Sequence, residues 1–164
     1  GAFFAGASLA TPITYEDLEA AGSVMGSATL RVFGGTPGGS GALCAVELAR
    51  DTLAYLHEES CGICTACREG ALQLTEMLDD LVESRAKPED RDLMLELCEH
   101  MRTGSICGLG KNAATPLLSL LKLFADDFDA HLHGQPCPAS GSGAADRGSC
   151  PATPQDGGAA SAKE

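Results

Sequence analysis

The sequence predicts a mainly α chain centred on a small antiparallel four-helix bundle. Between Ala42 and His133, apolar residues recur at helical spacing in four successive stripes. The connections between the stripes are short, which favours antiparallel neighbours. The flanks, residues 1–41 and 134–164, carry no such period and are rich in Gly, Ala, Ser and Pro. A chain of 164 residues, 44% apolar and 4% aromatic, has room for one modest domain and not for two catalytic ones.

Residues 1–41 hold nine glycines, with Thr29-Leu30-Arg31-Val32-Phe33 as the best strand candidate and Gly34 to Gly41 as a glycine-rich linker. They are read as a β-rich remnant followed by a connection. The first helix carries Leu43, Val46, Ala49, Leu53 and Leu56, and ends where Glu59-Ser60 leads into a run of cysteines. In the second, Ala71, Leu74, Leu78, Leu81 and Val82 form one stripe, with Glu76, Asp79, Asp80 and Glu83 mostly off it. The third has Pro88 in its first turn, then Leu93, Met94, Leu97, Cys98 and Met101, with Gly104 as a stop. The fourth starts at Thr115-Pro116 and continues through Leu117, Leu120, Leu121, Phe124 and Phe128. From Gly134 onward too little apolar surface is available to offset chain entropy, and residues 134–164 are expected to be a disordered tail.

The net charge of −12, from 11 Lys and Arg against 23 Asp and Glu, argues against a nucleic-acid-binding surface. The apolar runs are too short for a membrane-spanning helix, and no basic leader precedes one, so neither membrane insertion nor export is expected. The chain is read as cytoplasmic, reaching the cytoplasmic face of a membrane only through a complex. It begins at Gly1 and its first methionine is Met25, so it is expected to be a fragment, a processed product or the end of a longer reading frame.

Eight cysteines fall into classes by spacing. Cys61, Cys64 and Cys67 form C-x2-C-x2-C within seven residues at the start of the second helix. Disulfides are the weakest reading, because three thiols cannot pair completely and a chain that is not exported sits in a reducing compartment. Metal ligation is the strong one: this spacing opens the cluster-binding run of bacterial ferredoxins. In that run a fourth cysteine follows after three residues, but here Ala71 stands there, so the fourth ligand comes from elsewhere. Cys98 lies on an apolar stripe and Cys44 near the buried start of the first helix; both read as core. Cys137 and Cys150 fall in the tail, where holding a ligand costs ordering entropy. Cys107, in the glycine-bracketed loop Gly104 to Gly110, ranks first.

Cys61, Cys64, Cys67 and Cys107 are therefore the candidate ligands. Their three-plus-one spacing suits a 4Fe–4S cubane; the alternative is a four-cysteine zinc site in a non-redox interaction module. The amides at the second helix's N-terminus and the charge of Arg68 favour a more negative, reduced cluster and so raise its potential.

The segment Glu59-Ser60-Cys61-Gly62-Ile63-Cys64-Thr65-Ala66-Cys67-Arg68-Glu69-Gly70, followed by Cys107-Gly108-Leu109-Gly110, resembles the C-terminal iron–sulfur domain of the NADH-binding (51 kDa, or F) subunit of complex I. Similar domains occur in the diaphorase subunits of NAD-reducing hydrogenases and in β subunits of NAD-dependent formate dehydrogenases. Thr11 to Leu18 with Ala21 to Ser27 resembles the end of that subunit's β-grasp-like domain. The resemblance covers about residues 1–133. It implies a β-grasp remnant and linker (1–41), a four-helix domain holding one 4Fe–4S cluster on Cys61, Cys64, Cys67 and Cys107 (42–133), and the tail (134–164).

The resemblance further implies hydride transfer from NADH to FMN and a relay of single electrons to partners, a 2Fe–2S subunit and a larger iron–sulfur or catalytic subunit. Ala66 stands where the family usually has proline, and Gly34 to Gly41 where it usually has a strand and short turn. The family's FMN and NAD residues lie in its N-terminal part, and nothing here matches them. There is no G-x-G-x-x-G after a strand and no complete phosphate loop at Gly110-Lys111. The chain alone is expected to relay electrons and not to oxidise NADH. His57, His100, His131 and His133 stand in no H-x-x-H or H-x-x-E spacing with a cysteine and are read as solvated or helix-end residues. Glu76, Asp79, Asp80 and Glu83 are read as a solvated face.

Overall fold

The computed structural model describes residues 1–26, 29–33, 43–135 and 137. Among these, a 3-10 turn (Gly6–Ala10) precedes helices α1 (Tyr15–Ala20), α2 (Ala45–Glu58), α3 (Thr65–Val82), α4 (Asp90–Gly104), α5 (Gly108–Asn112), α6 (Thr115–Leu123) and α7 (Ala125–Leu132). No strand occurs among the described residues. Thr29 to Phe33, whose composition suggests a strand, is irregular chain, with the Phe33 ring 6.1 Å from that of Phe3. The linker from Gly34 to Gly41 and Cys150 lie outside the described residues.

The core is built by the predicted stripes. Val46, Ala49 and Leu53 of α2 meet Ala71, Leu74, Leu78 and Leu81 of α3, and α3 also packs on α4 through Met94, Cys98 and Met101. Gly70 permits that second approach: a Cβ there would fall 2.5 Å from Cγ of Met101. Leu117 and Leu120 of α6 and Phe128 of α7 close the core against α2 and α3.

Three boundaries differ from the sequence reading. Leu43 precedes α2 and is exposed. Pro88 lies just before α4, which begins at Asp90 with its carboxylate accepting the Lys87 N–H at 2.7 Å. The fourth helix is two, broken at Phe124, whose φ and ψ of −128° and 44° leave the helical region. The break turns Phe128 fully inward while Phe124 remains 38% exposed. Asp126 and Asp127 then occupy the first turn of α7, where the helix dipole favours negative charge.

Helices α3 and α7 end in the same motif. After α7, Gly134 takes φ +63° and donates to the His131 carbonyl, and Gln135 donates to that of Ala130. After α3, the left-handed position is filled by Ser84, at φ +57°, with Ser84 donating to Leu81 and Arg85 to Asp80. The predicted tail thus begins as an ordered helix cap, and Cys137 beyond it is buried on the core.

Candidate metal centre

Cysteines stand at the starts of two helices that meet. Cys64, in extended conformation, is the N-cap of α3, and Cys67 lies in that helix's first turn, buried. Gly62, at φ +73°, makes the turn between Cys61 and Cys64. Arg68 ties the turn to the helix, donating from Nη1 to the Gly62 carbonyl at 2.8 Å while its Nε pairs with Glu69. Its charge is therefore shared with a carboxylate and not directed solely at the thiols. The Ser60 hydroxyl stands 3.4 Å from Cys67 Sγ.

The segment from Gly104 to Gly110 folds over this turn. Gly104 lets it pass Ala66, where a Cβ would sit 3.0 Å from the alanine methyl. A Cβ on Gly110 would lie 2.9 Å from Cys67 Cβ and 2.5 Å from Ser105 Oγ. The predicted loop contains a short helix, α5, with the exposed Cys107 as its N-cap. The Ile106 backbone amide holds the Cys64 thiol below its usual range, against a smaller opposing effect of desolvation, with help from the amides of its own turn and the Ser105 hydroxyl. Ser105 is buried, and its Oγ makes no well-formed hydrogen bond.

Donor chemistry fits an iron–sulfur cluster. Cys61 and Cys107 are exposed, while Cys64 and Cys67 lie where the Gly104–Gly110 segment crosses the cysteine turn. That crossing brings backbone amides and the Ser105 hydroxyl to the turn, with glycine at 104 and 110 where a side chain would intrude. Cys98 stands apart in the core, where burial pushes its thiol up to about 12. The acidic face behaves as read: Asp80 and Glu83 pair with Arg85, and Asp79 lies 3.8 Å from Arg50, all at the surface.

A second grouping escaped the sequence. Cys44, read as core, His131, read as a helix-end residue, and Cys137, assigned to the tail, come together, all buried. Cys44 Sγ lies 3.6 Å from His131 Nε2. These two residues stand 87 positions apart in the chain, so no spacing rule exposes them. The one local signal was His131 between Phe128 and Leu132 on the apolar side of its helix.

Known proteins resemble the chain over most of its length. The chain is 37% identical over 130 residues to the F subunit of NADH-quinone oxidoreductase from Mycobacterium tuberculosis, covering 79% of this chain and 28% of that protein. It is 34% identical over 139 residues to the HndC subunit of the NADP-reducing hydrogenase of Solidesulfovibrio fructosivorans, covering 85% of this chain and 27% of that one. The chain thus spans less than a third of the length of these relatives. Among solved structures, an NAD+-reducing nickel–iron hydrogenase matches with a TM-score of 0.53 and 28% identity, over 55% of this chain and 16% of that one. Residues 47–131 match the NADH-ubiquinone oxidoreductase-F iron–sulfur binding region, a 4Fe–4S-binding family to which the chain therefore belongs.

Proposed function

We propose that this chain is a one-cluster electron relay in which Cys61, Cys64, Cys67 and Cys107 hold a 4Fe–4S cluster within an NADH:acceptor oxidoreductase. The observation that carries the reading is the seating of the Gly104–Gly110 segment on the cysteine turn, with glycine required at 110 by the nearness of Cys67. When bound, the cluster supplies a store for one electron at a time. The chain's own residues do the rest. The α3 N-terminus and the Ile106 amide turn positive partial charge toward the thiolates, lowering the cost of added negative charge. Gly62 and Arg68 hold the turn in register.

The domain reading is part of the proposal: residues 42–133 are the cluster-holding unit, and 1–41 the end of a preceding one. Electrons reach it from flavin and nicotinamide sites in another part of the oxidoreductase and leave toward partners, a 2Fe–2S subunit and a larger iron–sulfur or catalytic subunit. No helix among the described residues is long and apolar enough to cross a membrane, which supports attachment to any membrane only through such partners. Purified anaerobically, the chain is expected to carry about four irons, with visible absorbance that bleaches on reduction and an electron paramagnetic resonance signal in the reduced state. A colourless chain with zinc on these four cysteines would refute the reading in favour of a non-redox module.

A further inference from the structure

The buried trio at the far end of α2 from the cysteine run has the form of a second metal site. Cys44 is the N-cap of α2 and 4% exposed; His131, in α7, is 3% exposed and Cys137 5%. One ligand atom from each lies within 4.8 Å of the other two. Helix α2 is 14 residues long, about 21 Å. The Cys61 run begins beyond its other end, so the two groups of thiols are separate.

Orientation of the imidazole is what distinguishes this trio from a chance meeting of core residues. His131 Nδ1 stands 2.7 Å from the backbone oxygen of Asp127. A carbonyl only accepts, so Nδ1 carries a proton, and in the neutral imidazole Nε2 then turns a lone pair toward Cys44. That is the arrangement in which a metal-bound histidine is held by its outer nitrogen. His100 and His133 make the same back-bond to their own helices, but at the surface. A tetrahedral zinc with Zn–S near 2.3 Å and Zn–N near 2.05 Å sets sulfur and nitrogen about 3.6 Å apart. The Cys44–His131 separation of 3.6 Å matches it.

The surroundings suit a closed site. Phe128 and Leu132 belong to the same buried cluster. Asp127 also borders it: burial, then the neighbouring Cys137, raise its carboxyl, while His131 and the Ala45 amide act the other way. Two thiolates and an imidazole form a donor set that selects zinc among the common divalent ions.

We propose that Cys44 Sγ, His131 Nε2 and Cys137 Sγ bind one zinc ion that pins the end of α7 and residue 137 to the start of α2. Binding converts two thiols to thiolates and releases two protons, with no change of oxidation state. One tetrahedral position remains for water. The site would tie the segment after α7 to the bundle independently of the cluster.

The test uses the full chain, kept reduced, first as the iron-loaded protein by native mass spectrometry and then as a C61S/C64S variant. Expected are about one zinc beside the cluster in the first, and about one zinc retained in the second. Cobalt added to the variant should give thiolate charge-transfer and strong tetrahedral d–d bands. In that background, His131→Gln or Cys137→Ser should weaken zinc binding by more than about 100-fold, beyond the loss of an outer partner. Cys98→Ser should leave it unchanged. A reduced chain that takes up no stoichiometric zinc overturns the proposal, as does zinc held equally well by the His131→Gln and Cys137→Ser variants. The zinc count of the iron-loaded chain decides the matter even if a variant fails to fold.

Discussion

The Cβ that Gly110 lacks would lie 2.9 Å from the Cβ of Cys67, across a gap of 43 residues in sequence. That contact places the start of α5 against the first turn of α3, and it gives the Gly104–Gly110 segment one seating on the cysteine turn. Alanine at 110 must push away both Cys67 and Ser105, whose Oγ would be 2.5 Å from the new methyl. Overpacking of this kind costs about 1–3 kcal/mol. Gly110→Ala is expected to lower the melting temperature and to cut iron per chain to less than about half of wild type after anaerobic reconstitution. Full iron loading in that variant would mean that the segment's seating is irrelevant to the cluster.

Two cysteines of different environment should respond in opposite ways. Cys107→Ser is expected to abolish a stable 4Fe–4S signal with little loss of stability, because the residue is exposed. Cys98→Ser buries a hydroxyl in the core, costs about 1–3 kcal/mol, and leaves iron content at the wild-type level. Cys98 also predicts a pH effect. Its thiol is raised from an ordinary value of 9.0 to about 12, so the unfolded chain loses this proton first as pH rises. The stability from keeping the thiol neutral is complete below pH 9 and is lost between 9 and about 12. In denaturant titrations across that window, wild type should therefore lose more stability with rising pH than Cys98→Ala.

Ser84 occupies, at φ +57°, the left-handed position that Gly134 fills in the matching motif after α7. Ser84→Gly relieves that backbone cost and is expected to stabilise by about 0.5–1 kcal/mol, raising the melting temperature by a few degrees. Iron content should not change. A drop in melting temperature would mean that a serine contact outweighs the backbone term.

The break after α6 separates two phenylalanines that apolar spacing treats alike. Phe128 is fully buried, and Phe128→Ala should cost about 3–5 kcal/mol. Phe124 is 38% exposed, and Phe124→Ala should cost less than half as much. Chemical denaturation of the two variants measures the difference directly; equal losses would point to a continuous fourth helix.

The same pair shows where sequence reading succeeds and where it stops. Helices α2, α3 and α4 were legible because their buried residues, such as Leu53, Leu74 and Met101, follow a 3.6-residue period that only a one-sided helix needs. The break at Phe124 was not, since apolar spacing runs through it and the turn comes from packing. Helix α5 was hidden by Gly108 and Gly110, poor helix formers, the second kept because Cys67 and Ser105 leave no room for a larger residue. Thr29 to Phe33 has strand composition but forms irregular chain, since a strand depends on a ladder that composition alone cannot supply. At the cysteine run the spacing was local and therefore visible. The meeting of Cys44, His131 and Cys137 depends on α7 returning to the start of α2, which is tertiary information.

The contact of Gly70 with Met101 has a consequence for the order of assembly. Cys61, Cys64 and Cys67 are gathered by one turn and can approach a common centre as soon as the first turn of α3 forms, within the time of local helix formation. In the proposed relay Cys107 comes after the whole α3–α4 hairpin, so bringing it to the other three requires a loop of roughly thirty residues to close, with Met101 seated over Gly70. In the proposed relay, the nascent chain therefore presents three thiols early and the fourth late. A half-built centre would stay open to incoming iron and sulfide until the hairpin shuts.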